Sequence, residues 1–142
     1  MTTVTKLFEF EACHHLPHYD GACHNLHGHS YKLEVTVSGQ VSKNEKDPKC
    51  GMIIDFKDLK ANVGHLIIDD LDHYNLNDKL WFNTTAENMA VYFYELLSKY
   101  FITLSEKEGR YIALTEVKLW ETPTSFASYK GVTKDVKNTR DI

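Results

Sequence analysis

The chain reads as a single α+β domain: an antiparallel sheet with helices on one face. Three observations predict this. Residues near the N-terminus alternate in polarity as strands do, two stretches of helical periodicity occupy the middle, and strand-like alternation returns after them. At 142 residues the chain holds one domain's worth of sequence, enough to bury a core without disulfides. The expected domain covers residues 1–132, and a polar tail without periodicity runs from Thr133 to Ile142.

The first strand is predicted over Lys6 to His14, with Phe8, Phe10 and Ala12 on one face and Glu9 and Glu11 on the other. The second runs from His27 to Gln40, with Tyr31, Leu33, Val35 and Val37 sharing a face. Ser42 to Gly51, rich in turn formers, reads as a loop, and Met52 to Asp55 as a brief extension of the sheet. A helix opens at Asp55 or Phe56, repeats Leu59, Val63, Leu66 and Ile67 at helical spacing, and fades near Asp69. Its Gly64 costs about 1 kcal/mol against alanine. The second helix starts at a capping box of Thr84 and Glu87, followed by a stripe of Met89, Tyr92, Phe93, Leu96, Leu97 and Tyr100. Tyr111 to Trp120 alternates again, and a short strand is expected around Ser128 to Gly131.

Composition narrows the function. The net charge of -4 is spread along the chain, so no basic patch invites nucleic acid or an anionic membrane. No apolar run approaches the roughly 20 residues that span a bilayer. The first residues lack a signal-peptide profile, and three cysteines make no disulfide framework. Both features predict a cytoplasmic protein.

Histidine is the outlier. Six of the eight histidines fall between His14 and His29, and their spacing selects three. Residues two apart in a strand point the same way, about 6.6 Å apart, so His27-Gly28-His29 aims two imidazoles at one point. Both continue the apolar face of the second strand, and His14 continues that of the first. With the strands paired antiparallel, His14, His27 and His29 meet at one end of one sheet face. His15 has the opposite parity. His18 and His24 lie in the loop, where parity is silent, and each is an alternative third ligand. Three imidazoles without a fourth protein ligand suit a catalytic metal, and availability favours Zn2+.

Other chemistry-bearing residues surround this trio. Cys23, four residues before His27, is a candidate base if its thiolate lies near a dication, or else a fourth ligand. Asp72 and His73 place a carboxylate beside an imidazole, although sequence neighbours meet only in a turn. Glu121 ends the strand from Tyr111 on the parity of Val117 and Leu119, so its carboxylate needs a partner.

Six ordered stretches then resemble one family. They are Phe10-Glu11-Ala12-Cys13-His14, Cys23-x-x-x-His27-Gly28-His29, Gly51-Met52-Ile53-Ile54-Asp55-Phe56, Leu71-Asp72-His73-x-x-Leu76-Asn77, Thr85-Ala86-Glu87-Asn88 and Trp120-Glu121-Thr122-Pro123. The chain is similar over about residues 6–131 to the 6-pyruvoyltetrahydropterin synthase family, and most to its 6-carboxytetrahydropterin-forming branch in queuosine biosynthesis. The resemblance implies the tunnelling fold: a four-stranded antiparallel sheet and two helices per subunit, joined edge to edge into a trimeric barrel, with two trimers stacked as a homohexamer. It implies a carbon–carbon lyase that converts 7,8-dihydroneopterin triphosphate to 6-carboxy-5,6,7,8-tetrahydropterin, acetaldehyde and triphosphate. It also implies roles: His14, His27 and His29 as zinc ligands, Cys23 as base, and Asp72 with His73 as a relay from a neighbouring subunit. Glu121 would anchor the guanidine-like edge of the pterin, with Thr85 lining that pocket. The three-residue gap between Cys23 and His27 favours this branch over the one forming 6-pyruvoyltetrahydropterin. Cys13 stands where the family more often has alanine or serine.

Overall fold

The fold is seen in a computed structural model that describes residues 1–132; the tail expected over Thr133–Ile142 lies outside them. Two long strands, β1 (Thr2–His14) and β2 (His27–Gly39), form an antiparallel pair in continuous register from Thr2↔Gly39 to His14↔His27. On the far side of β2 runs antiparallel β4 (Ile112–Thr122), followed by the shorter β5 (Ser125–Tyr129). A two-residue strand, β3 (Tyr74–Asn75), pairs parallel with Ala12 and Cys13 of β1. The sheet is therefore five-stranded and mixed, in the order β3-β1-β2-β4-β5. This corrects the expectation of four antiparallel strands. A two-residue strand has no periodicity to read, and only the contact with β1 creates it.

Between β2 and β4 the chain crosses one face of the sheet. Helix α1 (Phe56–Val63) begins at Asp55, whose side chain accepts from the Lys57 N–H. It passes into a wide π-helical turn at Gly64–Ile68 and closes in a single turn, α2 (Asp69–Leu71). The weak helix former Gly64 thus stands where the helix widens instead of ending it. After β3 comes the short α3 (Leu76–Lys79), then the 23-residue α4 (Ala86–Glu108), which ends on Gly109 in the left-handed region. Thr85 caps α4 by accepting from the Asn88 N–H, so the cap lies one residue later than the expected Thr84–Glu87 box.

Met52–Asp55 adds nothing to the sheet. Its Ile53 carbonyl accepts instead from the Arg110 guanidinium at 2.7 Å, and the same group reaches Gln40 O at 2.6 Å. The core lies between the sheet and the helices. Phe8 and Phe10 of β1, Tyr31, Leu33, Val35 and Val37 of β2, and Val117 and Leu119 of β4 pack against Leu59, Met89, Phe93 and Leu97. A bulge in β4 makes this possible: Glu116 pairs with Thr36 but Leu114 pairs with Val37, leaving Thr115 unmatched. The extra residue turns Ile112 and Leu114, and then Val117 and Leu119, to the same core face.

Candidate active site

The ends of β1, β2 and β4 converge at one end of the core face. There the side chains of His14, His27, His29 and Glu121 come together, with one potential ligand atom from each lying within 4.8 Å of the others. The antiparallel register explains the trio, because His14 pairs with His27 and Ala12 with His29. Glu121 arrives through a second irregularity. Trp120 pairs with Phe126 and Thr122 with Ser125, so Glu121 has no partner on β5 and its carboxylate turns toward the histidines. Its Oε1 lies 2.9 Å from His29 Nε2 and 3.4 Å from His14 Nε2.

Tautomers decide what this cluster can hold. His14 Nδ1 lies 2.9 Å from the Thr84 carbonyl oxygen, and His27 Nδ1 lies 2.7 Å from that of Asn25. A carbonyl oxygen only accepts, so both Nδ1 atoms carry the proton and both Nε2 atoms present a lone pair. The buried Nε2 of His27 has no hydrogen-bond partner, and the protein group nearest that of His29 is the Glu121 carboxylate at 2.9 Å. Burial lowers the His29 pKa despite the opposing pull of Glu121. The His14 contact and then the neighbouring histidines hold the Glu121 carboxyl below the ordinary carboxylate value, so it is ionised. Converging lone pairs and a negative charge fit a divalent cation, and an imidazole with its far N–H on a carbonyl is the usual outer support of such a ligand. Donors of N and O type suit zinc. The fourth corner, expected to be empty of protein, has Glu121 beside it.

The remaining expected residues lie outside this group. Cys23 sits half-buried in a one-turn 3-10 helix, Ala22–His24. Asp72 and His73 do meet: His73 Nδ1 is 3.0 Å from Asp72 Oδ1. Their neighbouring side chains can touch because His73 has φ 67, the one positive φ of a non-glycine among the described residues. The turn is bonded to β1 on both sides. Asp72 Oδ1 accepts from the Glu11 N–H, and the His73 N–H donates to Glu11 O. Further on, Asn77 brackets His15, accepting from its N–H and donating to its carbonyl. His29 and His73 share an open cavity of about 410 Å³, with Cys13 and Tyr74 also in its wall. Thr85 is engaged as the α4 cap. Sequence reasoning missed Thr84, Asn25 and Tyr31, whose hydroxyl lies 3.4 Å from His14 Nε2. Two of these act through backbone carbonyls, which leave no trace in a sequence.

A family model described as 6-pyruvoyl tetrahydropterin synthase matches residues 3–132. A protein of Haemophilus influenzae named 6-carboxy-5,6,7,8-tetrahydropterin synthase is 36% identical, over 92% of this chain and 99% of its own. One of the same name from Synechocystis is 38% identical, over 91% and 93%. The human 6-pyruvoyl tetrahydrobiopterin synthase is 38% identical over 78% of this chain and 72% of its own. Among solved structures, the Caenorhabditis elegans 6-pyruvoyl tetrahydropterin synthase superposes with a TM-score of 0.74 at 31% identity, covering 92% of this chain and 96% of that one. With a match this long and relatives this similar, the chain belongs to the 6-pyruvoyl tetrahydropterin synthase family.

Proposed function

We propose that this chain is a zinc-dependent lyase that converts 7,8-dihydroneopterin triphosphate to 6-carboxy-5,6,7,8-tetrahydropterin, acetaldehyde and triphosphate. The observation that carries the reading is the convergence of His14, His27 and His29, with the Nδ1 protons of His14 and His27 committed to carbonyls and buried Nε2 lone pairs facing one another. The names of the Haemophilus and Synechocystis relatives support the carboxy product; a place in queuosine biosynthesis follows from the motif resemblance alone. Zinc bound among these imidazoles supplies Lewis acidity toward the hydroxyls of the substrate side chain.

The chain's own groups do the rest. Cys23 removes a proton from the pterin side chain, and His73, oriented by Asp72, relays protons. Glu121 accepts from the N–H donors on the guanidine-like edge of the pterin, with Thr85 lining the same pocket. This fixes the reacting carbons, and positioning of this kind lowers barriers by several kcal/mol. The edge backbone of β1 over residues 2–11 and the outer edge of β5 have no partner strand within the described residues, which supports edge-to-edge assembly; the trimeric barrel and the hexamer of two stacked trimers follow from the motif resemblance. No helix among the described residues is long and apolar enough to cross a membrane.

Incubating the purified protein with zinc and 7,8-dihydroneopterin triphosphate tests the reading through the mass of the pterin product. The carboxy product, lost in Cys23→Ala, is the expected result. The human relative's name favours a second reading, elimination of triphosphate to a pyruvoyl product, which the same mass reveals. A non-catalytic zinc module closed by Cys23 is disfavoured, because Cys23 lies outside the four-residue group. No turnover with zinc present would overturn both enzymatic readings.

A further inference from the structure

We infer that Thr84 is a positioning residue for the metal site, its carbonyl and hydroxyl together holding His14 in the tautomer that leaves Nε2 free for the ion. The inference rests on the metal-site reading above. It assigns a role to a residue that the motifs of the site pass over, since Thr84 lies just outside the Thr85-Ala86-Glu87-Asn88 stretch.

His14 and Thr84 are both fully buried, each 0% exposed. His14 Nδ1 lies 2.9 Å from Thr84 O and 3.0 Å from Thr84 Oγ1. Two lone pairs facing each other at the carbonyl distance would repel, so the ring proton is on Nδ1 and shared between two acceptors of one residue. A neutral imidazole has one ring proton, and placing it there leaves the lone pair on Nε2, toward His27, His29 and Glu121. The hold is rigid because of where Thr84 sits. The next residue, Thr85, caps the 23-residue α4 with its own hydroxyl, and its N–H bonds Asn83 O at 2.8 Å. Adjacent threonines thus divide two tasks, one turned to the helix and one to the histidine. A hydroxyl buried only to fill space would leave a polar atom to desolvate, and valine would fit the same volume. Among the described residues the hydrogen-bond partner of Thr84 Oγ1 is His14 Nδ1.

The test compares the parent with Thr84→Val, which keeps the shape and the carbonyl, and Thr84→Ser, which keeps the hydroxyl. Zinc affinity is read by competition with a chromogenic chelator. Ring tautomers are read from long-range proton–nitrogen spectra of the metal-free protein near pH 8, above the ordinary histidine pKa of about 6.5. The parent should show His14 protonated at Nδ1. Thr84→Val should weaken zinc binding by about 10- to 100-fold, the usual range for an outer-shell partner, and Thr84→Ser should recover most of it. Parent-like affinity in Thr84→Val, or a loss in Thr84→Ser as large as in Thr84→Val, would overturn the inference. So would a parent His14 protonated at Nε2, a result that needs no variant to fold. A parent that binds no zinc would overturn the metal-site reading itself, whereas a zinc-binding parent with an indifferent Thr84→Val would overturn this inference alone.

Discussion

At His73 a single backbone angle decides what two side chains can do. Its φ of 67 lets the Asp72 carboxylate reach the ring of its own neighbour, a contact that extended or helical backbone forbids. Asp72 is also tied to β1, and the Glu11 N–H, followed by His73, holds its carboxyl below the ordinary value. A carboxyl with a folded pKa below its unfolded one stabilises the fold above the unfolded pKa, about 3.9, and loses that contribution as pH falls through the folded value. Urea midpoints between about pH 3 and pH 6 should therefore drop on acidification in the parent and drop less in Asp72→Asn. Equal acid sensitivity would show that the bond to Glu11 contributes nothing. Thr84 and Thr85 give a second contrast. Thr85→Ala should lower stability by about 1 kcal/mol through the lost α4 cap, yet leave zinc affinity at the parent value. A weakened zinc site in that variant would mean that the cap and the His14 support cannot be separated.

At the scale of elements, most of this arrangement was legible where a period repeats. The alternation of β1 and β2 placed Phe8, Phe10, Tyr31 and Leu33 in the core, and the same parity carried His14, His27 and His29 to one point. The stripe on α4 is buried at Met89, Phe93 and Leu97. Phe93→Ala should therefore cost about 3–5 kcal/mol, seen in the denaturation midpoint. What was not legible depends on other parts of the chain. Strand β3 exists only against Ala12 and Cys13, and the α4 cap moved one residue because Thr84 is used elsewhere. The β4 bulge did leave a signal. Apolar positions shift from even numbers at Ile112 and Leu114 to odd at Val117 and Leu119, so an unbroken strand from Tyr111 could not keep one face. Thr115, the residue at the switch, has a buried hydroxyl without a hydrogen-bond partner. Glu121 was placed on the core side by its parity with Leu119, but the irregularity opposite Ser125 that turns it to the histidines has no counterpart in its residue types.

For the whole molecule, the sheet face away from the helices carries Glu9, Glu11, Lys32, Glu34, Glu116 and Lys118. Such a face suits the polar interior of a barrel closed by several copies. The proposed assembly predicts a solution mass near six times the 16.4 kDa chain by light scattering. It also predicts that His27→Ala and His73→Ala subunits, each inactive alone, regain activity when refolded together, because one supplies the metal ligands and the other the relay. A monomer, or a mixture without activity, would contradict the shared site. The proposed centre has three imidazoles on the ion and no thiolate closing it, a coordination that X-ray absorption at the zinc edge of the purified protein reads out. Three nitrogen neighbours at about 2.0–2.1 Å are expected, the rest of the shell being oxygen. A sulfur neighbour at about 2.3 Å would instead make Cys23 a ligand and contradict it.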